Sequence, residues 1–118
     1  MVVVLGFCLL LISASAAYAF FNYGKHKVTV CNNGDQSIKL TLFAADDEQN
    51  IEIFTDINLS VGSCLENKIS ITSDMYFEAI INDAVQKFGY LTSSPFVTRH
   101  EIGIVGGLIK YNQRVELL

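Results

Sequence analysis

The side chains best suited to acid–base chemistry in this sequence are His26 and His100, the only two histidines. A hydrolytic triad requires a nucleophile, a histidine and a carboxylate in mutual contact. Glu101 follows His100 directly, but neighbours on a strand point to opposite faces. No serine lies in a Gly-x-Ser-x-Gly turn. We therefore expect a protein without catalytic activity and without a cofactor.

An oxygen-rich run between Asp46 and Glu52 is the candidate for metal binding, with Asp56 nearby. Calcium takes six to eight oxygen ligands, which the loops of a β-sandwich can supply. The run lacks the glycine and the spacing of an EF-hand loop, so we interpret it as a solvated loop tip. Calcium binding at this run stays an open alternative. The cysteines and histidines match no zinc spacing, and we expect no metal site there.

Three cysteines are present, and Cys8 lies in the apolar N-terminal segment. Cys31 and Cys64 are left as an even pair, which in an exported chain predicts a disulfide. Both lie next to predicted turns, so they are expected at the same end of the fold. A bridge closing this loop is expected to stabilise the protein by about 3–4 kcal/mol.

The N-terminal segment Met1–Ala19 carries no charged side chain and ends in the small-x-small sequence Ala17-Tyr18-Ala19. A continuous apolar stretch followed by such a site is typical of a cleaved secretory signal peptide. We therefore expect a secreted, extracellular protein whose mature chain is a single domain over residues 20–118.

Two other interpretations of the N-terminus stay open. Cleavage could instead follow Ala16. Alternatively, Val2 to Phe21 could remain as a membrane anchor, because about 20 apolar residues span a bilayer. The basic triplet Lys25-His26-Lys27 would then hold the domain in the cytoplasm. Small and polar residues in the second half of the segment dilute its hydrophobicity, which favours cleavage.

The charge balance is mildly acidic, with 12 Asp and Glu against 8 Lys and Arg and a formal net charge of −4. No basic cluster is present, so nucleic acid is not an expected partner. A net charge of this size is typical of an ordinary soluble domain.

Apolar and polar residues alternate with a period of two along most of residues 28–117, and no segment carries a helical stripe. This pattern predicts seven or eight strands in an all-β fold, a small antiparallel β-sandwich or partly open barrel with one disulfide. Asn33-Gly34 predicts a hairpin turn. Residues 82–95 show no clear period and predict an irregular loop with a short helical turn or hairpin.

Strand parity on the third apolar run predicts which side chains are buried. It places Ile53, Ile57 and Leu59 in the core, and Glu52, Asp56 and Asn58 in solvent. Asn58-Leu59-Ser60 is also an N-glycosylation sequence, and an exposed Asn58 could accept a glycan.

Phe88 and Tyr90 lie in the irregular region beside Gly89. Loops on a rigid β scaffold often carry binding residues, so we take these two rings as possible ligand contacts. We predict a small secreted binding protein that recognises a protein, a glycan or a cell surface. Two alternatives stay open: a secreted membrane-active toxin or defence protein, which alone would contact membranes, and a self-associating structural or matrix protein.

Overall fold

Eight β-strands form the fold in the computed structural model, which describes residues 24–116. Their bounds are β1 (Lys25–Asn32), β2 (Ile38–Ala45), β3 (Asn50–Leu59), β4 (Cys64–Ser70), β5 (Met75–Ile81), β6 (Ala84–Leu91), β7 (Val97–Val105) and β8 (Leu108–Glu116). Within residues 24–116, no helix is long and apolar enough to cross a membrane. The predicted signal peptide Met1–Ala19, with Cys8, lies outside the described residues.

The strands form two four-stranded sheets, in the orders β4-β1-β7-β8 and β3-β2-β5-β6. The β1–β7 pair is parallel, and the other pairs are antiparallel. The predicted all-β sandwich is confirmed, with this parallel pair inside an otherwise antiparallel arrangement. β6 and β8 are edge strands, as are β3 and β4.

The core lies between the sheets and is built from the inward-facing side chains of alternating positions. Its fully buried members include Phe77, Leu40, Leu42, Leu59, Met75, Leu91, Ile104, Val28 and Val30. β5 shows the plainest alternation, since Met75, Phe77, Ala79 and Ile81 are buried and the residues between them are half-exposed. The predicted parity of this strand is confirmed.

Two short turns close the hairpins β5–β6 and β7–β8. Asn82 and Asp83 adopt φ angles of 48° and 70°, and Gly106 and Gly107 adopt 55° and 83°. Two consecutive positive φ angles match the twist of antiparallel strands, and Asn, Asp and Gly tolerate them best. These turns set the register of the two edge strands β6 and β8.

The hairpin predicted at Asn33-Gly34 is wrong. β1 and β2 belong to different sheets, and the loop between them carries the chain from one sheet to the other. The buried Asn32 amide organises this loop, because its Nδ2 donates to the carbonyls of Gln36 (2.8 Å) and Leu59 (3.0 Å). The Asn33-Gly34 turn sequence therefore lies in a connection between the two sheets and not in a hairpin.

The irregular loop predicted over residues 82–95 is also wrong. Strand β6 occupies Ala84–Leu91, so Phe88 and Tyr90 lie on an edge strand and not in a loop. Phe88 pairs with Phe77 and Leu91 with Met75, which leaves one extra residue on β6 at this point. This bulge at Gly89 interrupts the alternation, and that interruption concealed the strand in the sequence.

Strand β3 contains two register shifts against β2. Ile53 and Leu59 are buried as predicted, but Ile57 is only half-buried because β3 is an edge strand. Glu52, Asp56 and Asn58 are exposed, as the parity predicts. The strand continues through the bulged positions and remains one element.

The predicted disulfide between Cys31 and Cys64 is confirmed. The two residues are register partners on the adjacent strands β1 and β4, with their Cα atoms 4.1 Å apart. The bridge therefore ties the edge strand β4 to the interior strand β1.

Candidate functional site

The two histidines meet inside the sandwich. His26 on β1 and His100 on β7 are both buried, and His26 Nδ1 lies 2.7 Å from His100 Nε2. β1 and β7 run in parallel register with Val28 opposite His100, so both imidazoles point inward from neighbouring positions. Glu101 lies exposed on the outer face and pairs with Arg114 at 3.3 Å. His100 and Glu101 thus share no site, as predicted.

A hydrogen-bonded chain extends from this pair in both directions. His26 Nε2 lies 3.0 Å from the Thr92 carbonyl, in the segment between β6 and β7. His100 Nδ1 lies 2.6 Å from the Tyr111 hydroxyl on β8. The Tyr111 hydroxyl also approaches Gln113 Oε1 at 2.8 Å and the Tyr90 carbonyl at 3.4 Å. We call His26, His100 and Tyr111 the histidine–tyrosine chain.

The partners at the two ends fix the protons along this chain. A carbonyl only accepts, so His26 carries its hydrogen on Nε2, and its Nδ1 is a bare acceptor. His100 must then donate from Nε2, which leaves its own Nδ1 bare. Tyr111 donates its one hydrogen to that nitrogen, so it cannot donate to Gln113 Oε1 at the same time. All four ring nitrogens are engaged, with both imidazoles neutral.

Burial keeps the histidine–tyrosine chain uncharged at neutral pH. Burial and, to a smaller extent, the neighbouring His26 together lower the pKa of His100 to about 3. Burial also lowers the pKa of His26, against a smaller opposing effect of the Thr92 carbonyl. The same cause raises the pKa of Tyr111 to about 12. Each direction follows from the cost of placing charge in an apolar interior.

On the side that faces the β3-β2-β5-β6 sheet, aromatic rings pack around the histidine–tyrosine chain. Phe77 meets His100 edge-on, with ring centroids 5.0 Å apart. Phe88 stacks on Phe77 at 5.3 Å and contacts Tyr111 edge-on at 5.6 Å. Phe88, predicted as a ligand contact, is therefore half-buried and packs against the core.

Gly89 makes room for the Tyr111 ring. A Cβ atom at residue 89 would lie 2.9 Å from Tyr111 Cζ and 3.0 Å from Phe77 Cδ2. The residue also adopts a φ of 68°, a region that glycine enters without steric cost. The glycine between two aromatic residues on β6 was the sequence signal for this contact.

Tyr90 lies on the surface, with 53% of its area exposed. Its hydroxyl donates to Asp74 Oδ2 at 3.2 Å, and Asp74 Oδ1 accepts from the Ser93 backbone N–H at 3.0 Å. The charge of Asp74 raises the pKa of the Tyr90 hydroxyl. The ring is thus held at one end while its face stays accessible.

Most of the other exposed apolar side chains among the described residues lie on β6, on β8 or at the ends of β7. Leu108 and Val115 on β8 and Val85 on β6 are exposed, as are Phe96 and Val105 at the two ends of the β7 segment. Val61, between β3 and β4, is the exception among the described residues. In the part of the chain that the structure describes, β6 and β8 thus each combine an edge without a partner strand and exposed apolar side chains.

The Asp46 carboxylate organises its own loop. Oδ1 accepts from the backbone N–H groups of Glu48 (2.8 Å) and Gln49 (2.7 Å), and Oδ2 accepts from the Ser73 hydroxyl (2.8 Å). These hydrogen bonds lower the pKa of Asp46, and the bond from the Glu48 N–H has the largest effect. Across residues 24–116, no three His, Cys, Asp or Glu side chains converge as metal ligands. Asn58 is exposed on β3, and its glycosylation stays a prediction.

A shallow hollow lies on the outer face of the first sheet, above Gly103. Arg99, one of the charged residues that line it, contacts Glu116 at 2.7 Å. Lys27 contacts the same carboxylate at 3.0 Å. Both bonds lower the pKa of Glu116. This network joins β1, β7 and β8 across the face.

No protein-family model matches the chain, and no curated protein matches it in sequence. Solved structures do share its architecture. The T6SS lipoprotein TssJ1 from Pseudomonas aeruginosa is 13% identical with a TM-score of 0.51, over 78% of this chain and 97% of that one. This likeness shows a common fold.

Two further structures align at lower TM-scores. A candidate cell adhesion protein from Bacteroides uniformis is 12% identical with a TM-score of 0.49 over 80% of this chain. Intermedilysin, in a disulfide-locked form with human CD59, is 7% identical with a TM-score of 0.48 over 80% of this chain. The chain spans 50% of the first protein and 25% of the second.

Proposed function

We propose that this protein is a small secreted binding protein without catalytic activity, which recognises a protein, a glycan or a cell surface through the β6 edge around Tyr90. The observation that carries the proposal is the Tyr90 ring, exposed on an edge strand and held at its hydroxyl by Asp74. A rigid aromatic ring with a polar end gives contact area at little cost in conformational entropy.

The free edge of β6 adds a second means of recognition. Among the described residues, β6 pairs as a strand only with β5, so its other edge has no partner strand. Extended segments of partners commonly pair with such edges, while side chains beside the edge give specificity. Tyr90 and Val85 are exposed on this strand.

The histidines support the absence of catalysis. A general base needs a ring nitrogen that can reach a substrate proton. All nitrogens of His26 and His100 are occupied within the buried chain. Secretion is supported by the predicted signal peptide Met1–Ala19 and by the disulfide Cys31–Cys64, a bond that persists in oxidising compartments.

The experiment compares labelled mature protein with its variants on glycan arrays and on intact cells. Tyr90→Ala should weaken any binding signal by more than about 1 kcal/mol while leaving the melting temperature nearly unchanged. Val61→Ala is the matched control, because it truncates an exposed apolar residue away from β6. Equal losses in both variants, or leakage of dye from phosphatidylcholine vesicles by the wild-type protein, would contradict the proposal.

A further inference from the structure

We propose that the His26–His100 pair is an acid-sensitive switch: when the imidazoles become charged, the end of β6 and the following segment over residues 92–96 separate from the first sheet. The switch stands without the proposed binding function, and its tests require no ligand.

The switch rests on the two hydrogen bonds that need a bare ring nitrogen. His26 Nδ1 accepts from His100, and His100 Nδ1 accepts from Tyr111, at 2.7 Å and 2.6 Å. Protonation of both rings would set two N–H groups and two positive charges against each other at the first of these contacts. A single proton is tolerated only if Tyr111 turns its hydrogen away from His100, to Gln113 Oε1 (2.8 Å) or to the more distant Tyr90 carbonyl (3.4 Å).

Within residues 24–116, the groups in recorded contact with the pair carry no negative charge. β5 contributes Phe77, and β6 contributes Phe88 and the Tyr90 carbonyl. β8 contributes Tyr111, whose burial raises its pKa to about 12 and keeps its hydroxyl neutral. The segment after β6 contributes the Thr92 carbonyl. Among the described residues, no carboxylate hydrogen-bonds to either imidazole, and Asp74 bonds instead to Tyr90 and Ser93.

The end of β6 and residues 92–96 are the part of the fold around the histidine pair that is held by the fewest strand pairings. β1 and β7 are interior strands with partner strands on both sides, whereas β6 pairs as a strand only with β5 among the described residues. Two hydrogen bonds join residues 92–96 to β1 and to Gly24, the residue before it. His26 Nε2 donates to the Thr92 carbonyl (3.0 Å), and Gly24 N donates to the Ser94 carbonyl (2.7 Å). Displacement of this part of the fold would give the charged imidazoles access to water without breaking the strand pairing of β1 or β7.

Backbone amide hydrogen exchange measures this opening directly. Each measured exchange rate is divided by the intrinsic exchange rate of the unprotected amide at that pH. The remaining change with pH then reports the opening equilibrium. For one histidine that charges only on opening, the opening constant should rise about tenfold per pH unit below 6.5, or about 100-fold by pH 4.5. We expect this rise at the amides of β6 and residues 92–96, and little change at the amides of β2.

Two variants identify the group that titrates. His100→Gln retains a donor and an acceptor but has no charge to gain, so the pH dependence at β6 should become nearly flat. Asp74→Asn is the matched control, because it removes the nearest carboxylate that holds the segment while keeping an acceptor for Ser93 N. This control should keep the wild-type response. Loss of the response in Asp74→Asn alone would overturn the assignment.

Imidazole 15N chemical shifts test the wild-type protein itself, even where a variant fails to fold. Both rings should show the neutral form with hydrogen on Nε2, and they should remain neutral to below pH 5 as long as β6 is closed. A histidine that titrates near pH 6.5 in the closed protein would overturn the switch. Exchange at β6 that does not change between pH 7 and 4.5 would do the same.

If Tyr90 carries binding as proposed, the switch also regulates it, because Tyr90 lies on the strand end that opens. Affinity should then fall between pH 7 and 5 in the wild type and remain constant in His100→Gln. A protein that opens with acid but binds equally well at both pH values would retain the switch and refute the role of Tyr90.

Discussion

The Tyr111 ring occupies the space that a side chain at Gly89 would need, so the strands β8 and β6 touch across the open side of the sandwich. The distance from a Cβ at residue 89 to Tyr111 Cζ would be 2.9 Å. This contact holds the tyrosine hydroxyl where it can donate to His100. The absence of a side chain at Gly89 on one sheet thereby positions the Tyr111 hydroxyl on the other.

Gly89→Ala should therefore destabilise the protein by about 2–4 kcal/mol, since it combines a positive φ with overpacking of the Tyr111 and Phe77 rings. Urea unfolding measures the effect. Gly62→Ala is the control, because Gly62 has a φ of 78° but no atom within 4 Å of the added Cβ. It should cost only about 1–2 kcal/mol. Equal losses would mean that the ring contact contributes nothing.

Removal of the disulfide with the double variant Cys31→Ser/Cys64→Ser should cost about 2–5 kcal/mol. The bridge joins the edge strand β4 to β1, so the amides of β4 should lose protection first in hydrogen exchange. Chemical denaturation of the oxidised and the reduced wild type gives the same comparison without a substitution. Unchanged stability after full reduction would contradict the prediction.

The burial pattern of β3 predicts unequal effects of neighbouring substitutions. Ile53 is 5% exposed, so Ile53→Ala should cost about 2–5 kcal/mol. Ile57→Ala should cost less than Ile53→Ala because Ile57 is half-buried at the sheet edge. Asn58→Ala, on the exposed face, should change stability by less than about 0.5 kcal/mol. Thermal and urea unfolding of the three variants would show any inversion of this order.

Local alternation was sufficient to predict the sandwich and the parity of β5, and the even pair of cysteines in an exported chain predicted the disulfide. It failed where one extra residue disturbs the period, as at Gly89 on β6, because a bulge reverses which face the next side chain takes. It also failed at Asn33-Gly34, since turn residues specify backbone angles and not which sheet the chain enters next. In both places, tertiary pairing decided the outcome.

The histidine–tyrosine chain was beyond local sequence patterns for a related reason. His26 and His100 are 74 residues apart, and only the parallel pairing of β1 with β7 brings them together. Strand parity correctly separated His100 from Glu101. It gave no indication that the partner of His100 would be another histidine, because it describes single strands and not their order in a sheet.

The stability of the protein should fall as the pH is lowered from 6.5. The pKa of His100 drops to about 3 in the folded protein and lies near 6.5 in the unfolded chain. Between these values the unfolded state binds the additional proton, so acid favours unfolding. Above pH 6.5 neither state is protonated at this site, and the destabilisation is absent; below pH 3 it is complete.

Between pH 6.5 and 4.5, His100 alone should remove about 2–3 kcal/mol of stability, and the lowered pKa of His26 adds to this loss. The partly exposed carboxylates of Asp46 and Glu116 contribute little in this window, because hydrogen bonds lower both of their pKa values. Urea unfolding at half-unit pH steps measures the slope. His100→Gln should remove most of it, whereas Glu116→Gln should leave it in place. A slope unchanged by His100→Gln would show that another group controls the acid sensitivity.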